Sequence, residues 1–256
     1  MEISKDHPRY RSLVTRERMS ELVSLGIVAQ TGLIAHGRGE AFDYLIGERT
    51  QPPASKAEEA AAALLLEAKA PVVTINGNAA ALAARELVQL ADLVGAKVEV
   101  NLFHRSDERV RKVCDFVERE SGRKVLGRSQ DAILPGIASD RARCTKEGIM
   151  SADVVLIPLE DGDRAEALVK AGKKVIAIDL NPLSRTALAA NITVVDELTR
   201  AVIGIVGAVD MLRGDPAARK KILSNYDNRG CLDDMMGIMR SNLGEGSAGH
   251  NRDVRC

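Results

Sequence analysis

The chain has 256 residues, with 36 Lys and Arg balanced by 36 Asp and Glu, and no Trp. This length can bury a full core as one large α/β domain, with or without terminal helical additions. The charge balance supplies no bulk positive field for nucleic acid or anionic lipid, and an aromatic fraction of 2% leaves few platforms on which unpaired bases could stack.

The opening MEISKDHPRYR is charged and has no apolar centre, so it does not read as a signal peptide. From about Pro8 to Gly47 the pattern is helical. Leu13, Arg16, Met19, Leu22 and Val23 recur at three- and four-residue spacing, and Gly26 marks a stop. HGRGEAF reads as a glycine-flanked break before a short helix. After the punctuation of Gln51-Pro52-Pro53, Ser55-x-x-Glu58 reads as a capping box ahead of an Ala- and Leu-rich helix. An alternation then begins. Short apolar runs predict strands over residues 71–75, 97–103, 153–157, 174–179 and 192–195. Helices are predicted over residues 79–94, 106–120, 163–171 and 197–212. Such alternation indicates βαβ units and a mostly parallel, Rossmann-like sheet with helices on both faces.

The expected organisation is an N-terminal helical region (1–52), an α/β core (53–213), a C-terminal helical segment (214–242) and a disordered tail (243–256). Met235, Met236 and Met239 suit an interface or a core groove. No apolar run approaches the ~20 residues that cross a bilayer. Cys114, Cys144, Cys231 and Cys256 are scattered, without a C-x-x-C pair, and read as plain reduced thiols. A soluble, cytoplasmic protein is expected.

Ligands of open parallel sheets bind beyond the carboxyl ends of the strands. There the sequence places Asn76-Gly77-Asn78, then Asn101 with His104-Arg105-Ser106, and then Asp179-Leu180-Asn181 followed by Ser184-Arg185-Thr186. Any one of these turns is accounted for by capping and turn chemistry. Three at one sheet edge point to phosphate and nucleotide recognition. Asp179, closing an apolar strand, suits ribose hydroxyls. His104 and Arg105 precede a helix whose first N–H groups favour anions. Neither G-x-G-x-x-G nor a G-x-x-x-x-G-K-[ST] phosphate loop follows a strand, which disfavours NAD enzymes and ordinary P-loop enzymes. His36 beside Arg38 is a weaker candidate, His7 and His250 carry no assignment, and Arg141 and Arg143 in SDRARCTKEG read as a solvated face.

Taken together, HPRYRSLVTRERM, GLIAHGRGEAFDYLIGE, VVTINGNAAAL, NLFHRSDER, VLIPLEDGDRAEAL and VIAIDLNPLSRTA resemble the archaeal phosphopantothenate synthetase family, in order, over roughly residues 5–242. The resemblance implies a homodimeric, AMP-forming 4-phosphopantoate–β-alanine ligase of coenzyme A biosynthesis. It implies ATP contacts at Arg16, Arg38, Asp179, Leu180, Asn181, Arg185, Thr186, Asn191 and Ile192. In that chemistry the phosphopantoate carboxylate attacks the α-phosphorus of ATP to give an acyl adenylate, and β-alanine then displaces AMP. Mg²⁺, Arg16, Arg38 and Arg185 would clamp phosphates. The strand-end reading places phosphopantoate at Asn76, Gly77 and Asn78 and at His104, Arg105 and Ser106. Catalytic roles fall on Arg38, His104 and Arg105, with His104 left open between phosphate binding and deprotonation of the incoming ammonium. The rival readings are a nucleotide- or NAD-dependent oxidoreductase and a non-catalytic nucleotide-binding module on the same fold.

Overall fold

A computed structural model describes residues 4–7 and 9–248. Two helices, α1 (Tyr10–Ser24) and α2 (Gln30–Ile46), precede α3 (Pro52–Glu67). The anticipated break at HGRGEAF is absent, for α2 runs through it. Gly32 serves close approach here, since a Cβ would collide with Asn78, whereas a Cβ on Gly37 would meet nothing and one on Gly39 would stand in ordinary contact, 3.6 Å from the Leu180 side chain. The capping box also fails. α3 starts one turn earlier, at Pro52, whose missing N–H costs nothing in a first turn. Ser55 therefore lies inside the helix and Glu58 is buried on its inner face.

The core alternates β1 (Pro71–Ile75), α4 (Gly77–Val94), β2 (Lys97–Val100) and α5 (Asp107–Ser121). An irregular excursion follows, holding the antiparallel pair β3 (Ala132–Ile133) and β4 (Arg143–Cys144). Alternation resumes with β5 (Val154–Pro158), α6 (Gly162–Lys170), β6 (Lys174–Ile178), α7 (Arg185–Ala189), β7 (Ile192–Val194) and α8 (Leu198–Leu212). The five long strands form one parallel sheet in the order β2-β1-β5-β6-β7. β2 stops three residues short of its predicted end. Beyond it the Asn101 amide leaves the sheet to donate to the Arg143 carbonyl at 2.8 Å.

Side chains alternate across this sheet with period two. Val73, Ile75, Leu156, Ile176 and Ile178 enter the larger core with residues of α3, α4 and α8, whereas Val72, Val155, Ile157, Val175 and Ala177 face α6 and the excursion. Two more helices, α9 (Pro216–Asn225) and α10 (Asn228–Ala248), close the chain. Leu232, Met235 and Met239 of α10 pack with Ile46, Ala54 and Leu180, so the methionines fill a core groove as their spacing indicates. The expected tail is helical as far as Ala248, and its residues 249–256 lie outside those described.

Candidate functional site

Strand order reverses between β1 and β5, one connection running outward to β2 and the next returning past β1. Loops diverge at such a point and leave a crevice at the carboxyl edge. A cleft of about 450 Å³ opens there, bounded on one side by Ala29, Gly32, His36, Gly39 and Glu40 around α2. Strand-end residues Asn76, Gly77, Asn78, His104, Leu159, Asp161 and Leu180 form the other side, with Arg109 and Arg141. Leu159 sits at φ +52°, a left-handed conformation costly for a side chain with Cβ and typical of functional sites. Its carbonyl and that of Pro158 accept the Asn76 amide at 2.9 and 3.0 Å, pinning β1 to β5 at the reversal.

The predicted phosphopantoate residues divide by role. Asn76 is fully used, since its Oδ1 also caps α4 by accepting from the Ala79 N–H at 2.9 Å. Asn78 donates to the Gly32 carbonyl at 2.8 Å, tying α2 to α4. What this turn offers a ligand is the set of N–H groups that open α4. His104 lines the cleft, its ring edge-on to Phe103 at 4.9 Å. Ser106 caps α5 by accepting from Arg109 N–H at 3.1 Å, and Arg105 lies off the cleft wall, its Nη2 on Asp107 at 3.1 Å.

The ATP set divides in the same way. Asp179 is half-buried, accepting from Asn181 N–H at 3.0 Å and from the Ser184 hydroxyl at 2.5 Å, with Leu180 on the cleft wall. Burial raises the Asp179 pKa above the usual carboxylate range, opposed by those two hydrogen bonds and by the charge of Arg38. Arg16 binds Glu40 at 3.0 Å, and Glu40 lines the cleft, while Arg38 is exposed and felt by Asp179 as a charge; neither arginine itself lines the cleft. Arg185, by contrast, is exposed and paired with Asp163 at 2.6 Å and Glu166 at 2.9 Å. Thr186 is buried, donating to the Glu160 carbonyl at 2.8 Å. Asn191 accepts from Val175 N–H at 2.9 Å at the amino end of the sheet, and Ile192 is buried in β7, so neither reaches the cleft.

A family model for phosphopantothenate/pantothenate synthetase matches residues 53–242. The chain is 48% identical to a 4-phosphopantoate–β-alanine ligase of Methanosarcina mazei, over 94% of this chain and 96% of that one. It is 55% identical to the Methanospirillum hungatei protein of the same name, over 79% and 83%, and 47% identical to that of Thermococcus kodakarensis, over 94% and 93%. The chain belongs to the phosphopantothenate/pantothenate synthetase family. Membership sets aside the oxidoreductase reading, as the missing glycine fingerprint already suggested.

Within this synthetase cleft stand three residues that pattern reading passed over or ranked low. Arg141, assigned to a solvated face, is instead buried, donating to Glu160 at 2.9 Å and to the Asn101 carbonyl at 3.2 Å, whereas Arg143 is exposed as expected. Arg109 looked like one charge among many on a helix flank, yet it reaches back to the carbonyls of His104 at 2.5 Å and Ile27 at 2.9 Å. His36 lines the cleft with a buried Nε2 that has no hydrogen-bond partner. Only the glycine-flanked HGRG string hinted at the last of these. At the α2–α8 junction Arg200 binds both Asp43 and Asp196, and Asp43 and Glu197 add carboxylates to the cleft wall.

Proposed function

We propose that this chain is a cytoplasmic, homodimeric 4-phosphopantoate–β-alanine ligase that consumes ATP and releases AMP and diphosphate. One observation carries the reading. A single cleft at the sheet's reversal point is lined by His104, Arg109 and Arg141 and by Leu180 of the Asp179–Leu180 turn, whose aspartate feels the charge of Arg38. Two anionic substrates that must react with each other need such cationic anchors around one cleft. The three described cysteines stand as free thiols, in keeping with a reducing compartment.

In this reading the nucleoside lies along Leu180, with Asp179 toward the ribose hydroxyls and Arg38 toward the phosphates. The organic acid is held at the opposite corner, its carboxylate between the two. Carboxylate oxygen attacks the α-phosphorus as the bond to the β-phosphate oxygen breaks, and diphosphate departs with that electron pair. The neutral amine of β-alanine then attacks the acyl carbon, and AMP leaves with the acyl C–O electrons. His36, its Nε2 unpartnered on the cleft wall, is placed to take the ammonium proton first. Among the described residues no three His, Cys, Asp or Glu side chains group to cage a cation. Mg²⁺ would arrive on the triphosphate, and Asp161 on the cleft wall is the residue that would reach its water shell. Bound there, Mg²⁺ would offset charge on the departing diphosphate.

The test is incubation of the purified protein with ATP, Mg²⁺, 4-phosphopantoate and β-alanine. AMP and diphosphate should form only when the organic acid is present. ADP and phosphate instead would retain the ligase but remove the adenylate, and no turnover would remove both.

A further inference from the structure

Resting on the ligase reading, we propose that Arg109, Arg141 and the free N–H groups opening α4 form the subsite for the phosphate of the organic acid, and so set the preference for the phosphorylated over the free acid. One guanidinium of this corner has no carboxylate partner. Arg109 donates only to backbone carbonyls, and among the described residues no carboxylate pairs with it. Arg141 shares Glu160 with a third guanidinium, Arg164, and its Nε lies 3.3 Å from Asp161. Arg164 also lies in the field of buried Glu99, so Glu160, Asp161 and Glu99 offset Arg141 and Arg164, and Arg109 is left over. A half-buried cation of this kind is costly unless an anion completes it. Arg109 also feels Arg141 as a like charge, which, after burial, lowers its pKa.

Geometry places these donors around one corner of the cleft. Gly77 is the first residue of α4, and a Cβ there would stand 2.7 Å from Arg109 Nη2 and would collide with the Ile27 carbonyl. Only a residue without a side chain lets the guanidinium lie against the helix start. α4 kinks at Ala83, so its short first segment adds local N–H donors, those of Gly77 and Asn78, to the planar fork of Arg109 and the buried Arg141 on the cleft wall. A phosphate monoester carries about −1.5 to −2 at neutral pH and three acceptor oxygens, matching both the charge of Arg109 and the donors around it. Free pantoate would leave them unpaired.

The experiment compares wild type with Arg109→Gln and Arg109→Lys in steady-state kinetics, varying 4-phosphopantoate, free pantoate, β-alanine and ATP in turn. Losing charge-assisted hydrogen bonds should raise KM for 4-phosphopantoate by roughly tenfold to a hundredfold in Arg109→Gln, with KM for ATP and β-alanine within about twofold. The ratio of kcat/KM for 4-phosphopantoate over pantoate should fall by the same factor, and Arg109→Lys should restore part of it. An unchanged KM for 4-phosphopantoate, a rise in KM for ATP instead, or an equal loss with both acids would overturn the proposal. If circular dichroism shows that Arg109→Gln does not fold, inorganic phosphate added to wild type at saturating ATP decides. Competition with 4-phosphopantoate supports the subsite, and its absence overturns it. A wild-type protein that forms no 4′-phosphopantothenate would refute the ligase reading and the subsite with it, whereas normal turnover with unmoved KM refutes the subsite alone.

Discussion

At the residue scale, several polar side chains here are consumed by the fold, and the sequence cannot say which. Asn76 and Asn78 look identical in a turn, yet one closes the sheet reversal and the other staples α2. Glu58 shows the opposite case, a carboxyl buried without compensation. Its Oε1 has no partner, it packs on Gly204, and burial with Asp196 nearby raises its pKa from 4.5 to about 8. The folded state therefore holds a proton that the unfolded chain releases at lower pH. The stability this group contributes is full below about 4.5 and is lost as pH rises to about 8, where it levels off. Glu58→Gln keeps the shape and removes the titration. Its advantage over wild type in urea unfolding should grow across that window, to on the order of 3–5 kcal/mol above it. Curves that stay parallel from acid to alkaline pH would show that Glu58 is not held protonated.

At the element scale, the regular strands and helices were legible because apolar runs of period two and 3.6 report burial directly. α4, α5, α6 and α8 fall within a few residues of their predicted spans, whereas the short α7 was not predicted. The helix through HGRGEAF was not legible, since paired glycines signal a break, whereas the helix is held by packing of Phe42, Leu45 and Ile46 with Leu180 and Met235, which are far away in sequence. Nor was the excursion between α5 and β5, which is held by a residue of another element. Glu99, buried in β2, accepts from the Thr145 N–H and hydroxyl at 2.9 Å and from the Ile149 N–H at 2.8 Å. One acid in an otherwise apolar strand was the available signal. That clamp fixes the segment which delivers Arg141 to the cleft. Glu99→Ala would strand buried donors, costing about 2–4 kcal/mol in chemical denaturation. It should also raise KM for 4-phosphopantoate more than KM for ATP, since Arg141 loses its support. Equal changes in both constants would mean that the excursion does not act through the acid's site.

At the scale of the whole molecule, the cleft exists because strand order reverses between β1 and β5, and the N-terminal helices then wall it. α2 supplies that wall while leaving Ile34, Gly37, Ala41 and Tyr44 exposed at intervals of three and four residues, with Ile34 76% exposed. An apolar stripe on a helix is ordinarily covered. Its inner face meets Asn78 and Leu180, and among the described residues none covers the outer one. A second copy meeting α2 to α2 would do so isologously, each helix presenting the same stripe. Light scattering on the purified protein should then give a mass near twice 27.5 kDa. Ile34→Glu, placing a charge in the seam, should bring it to the monomer. Because α2 also carries Arg38 and Gly39 to the Asp179 turn, the monomer should bind ATP more weakly and keep its far-ultraviolet spectrum. A wild type that is monomeric at micromolar concentration would show that the stripe is not an interface between copies, and a dimer unmoved by Ile34→Glu would place the seam on another face.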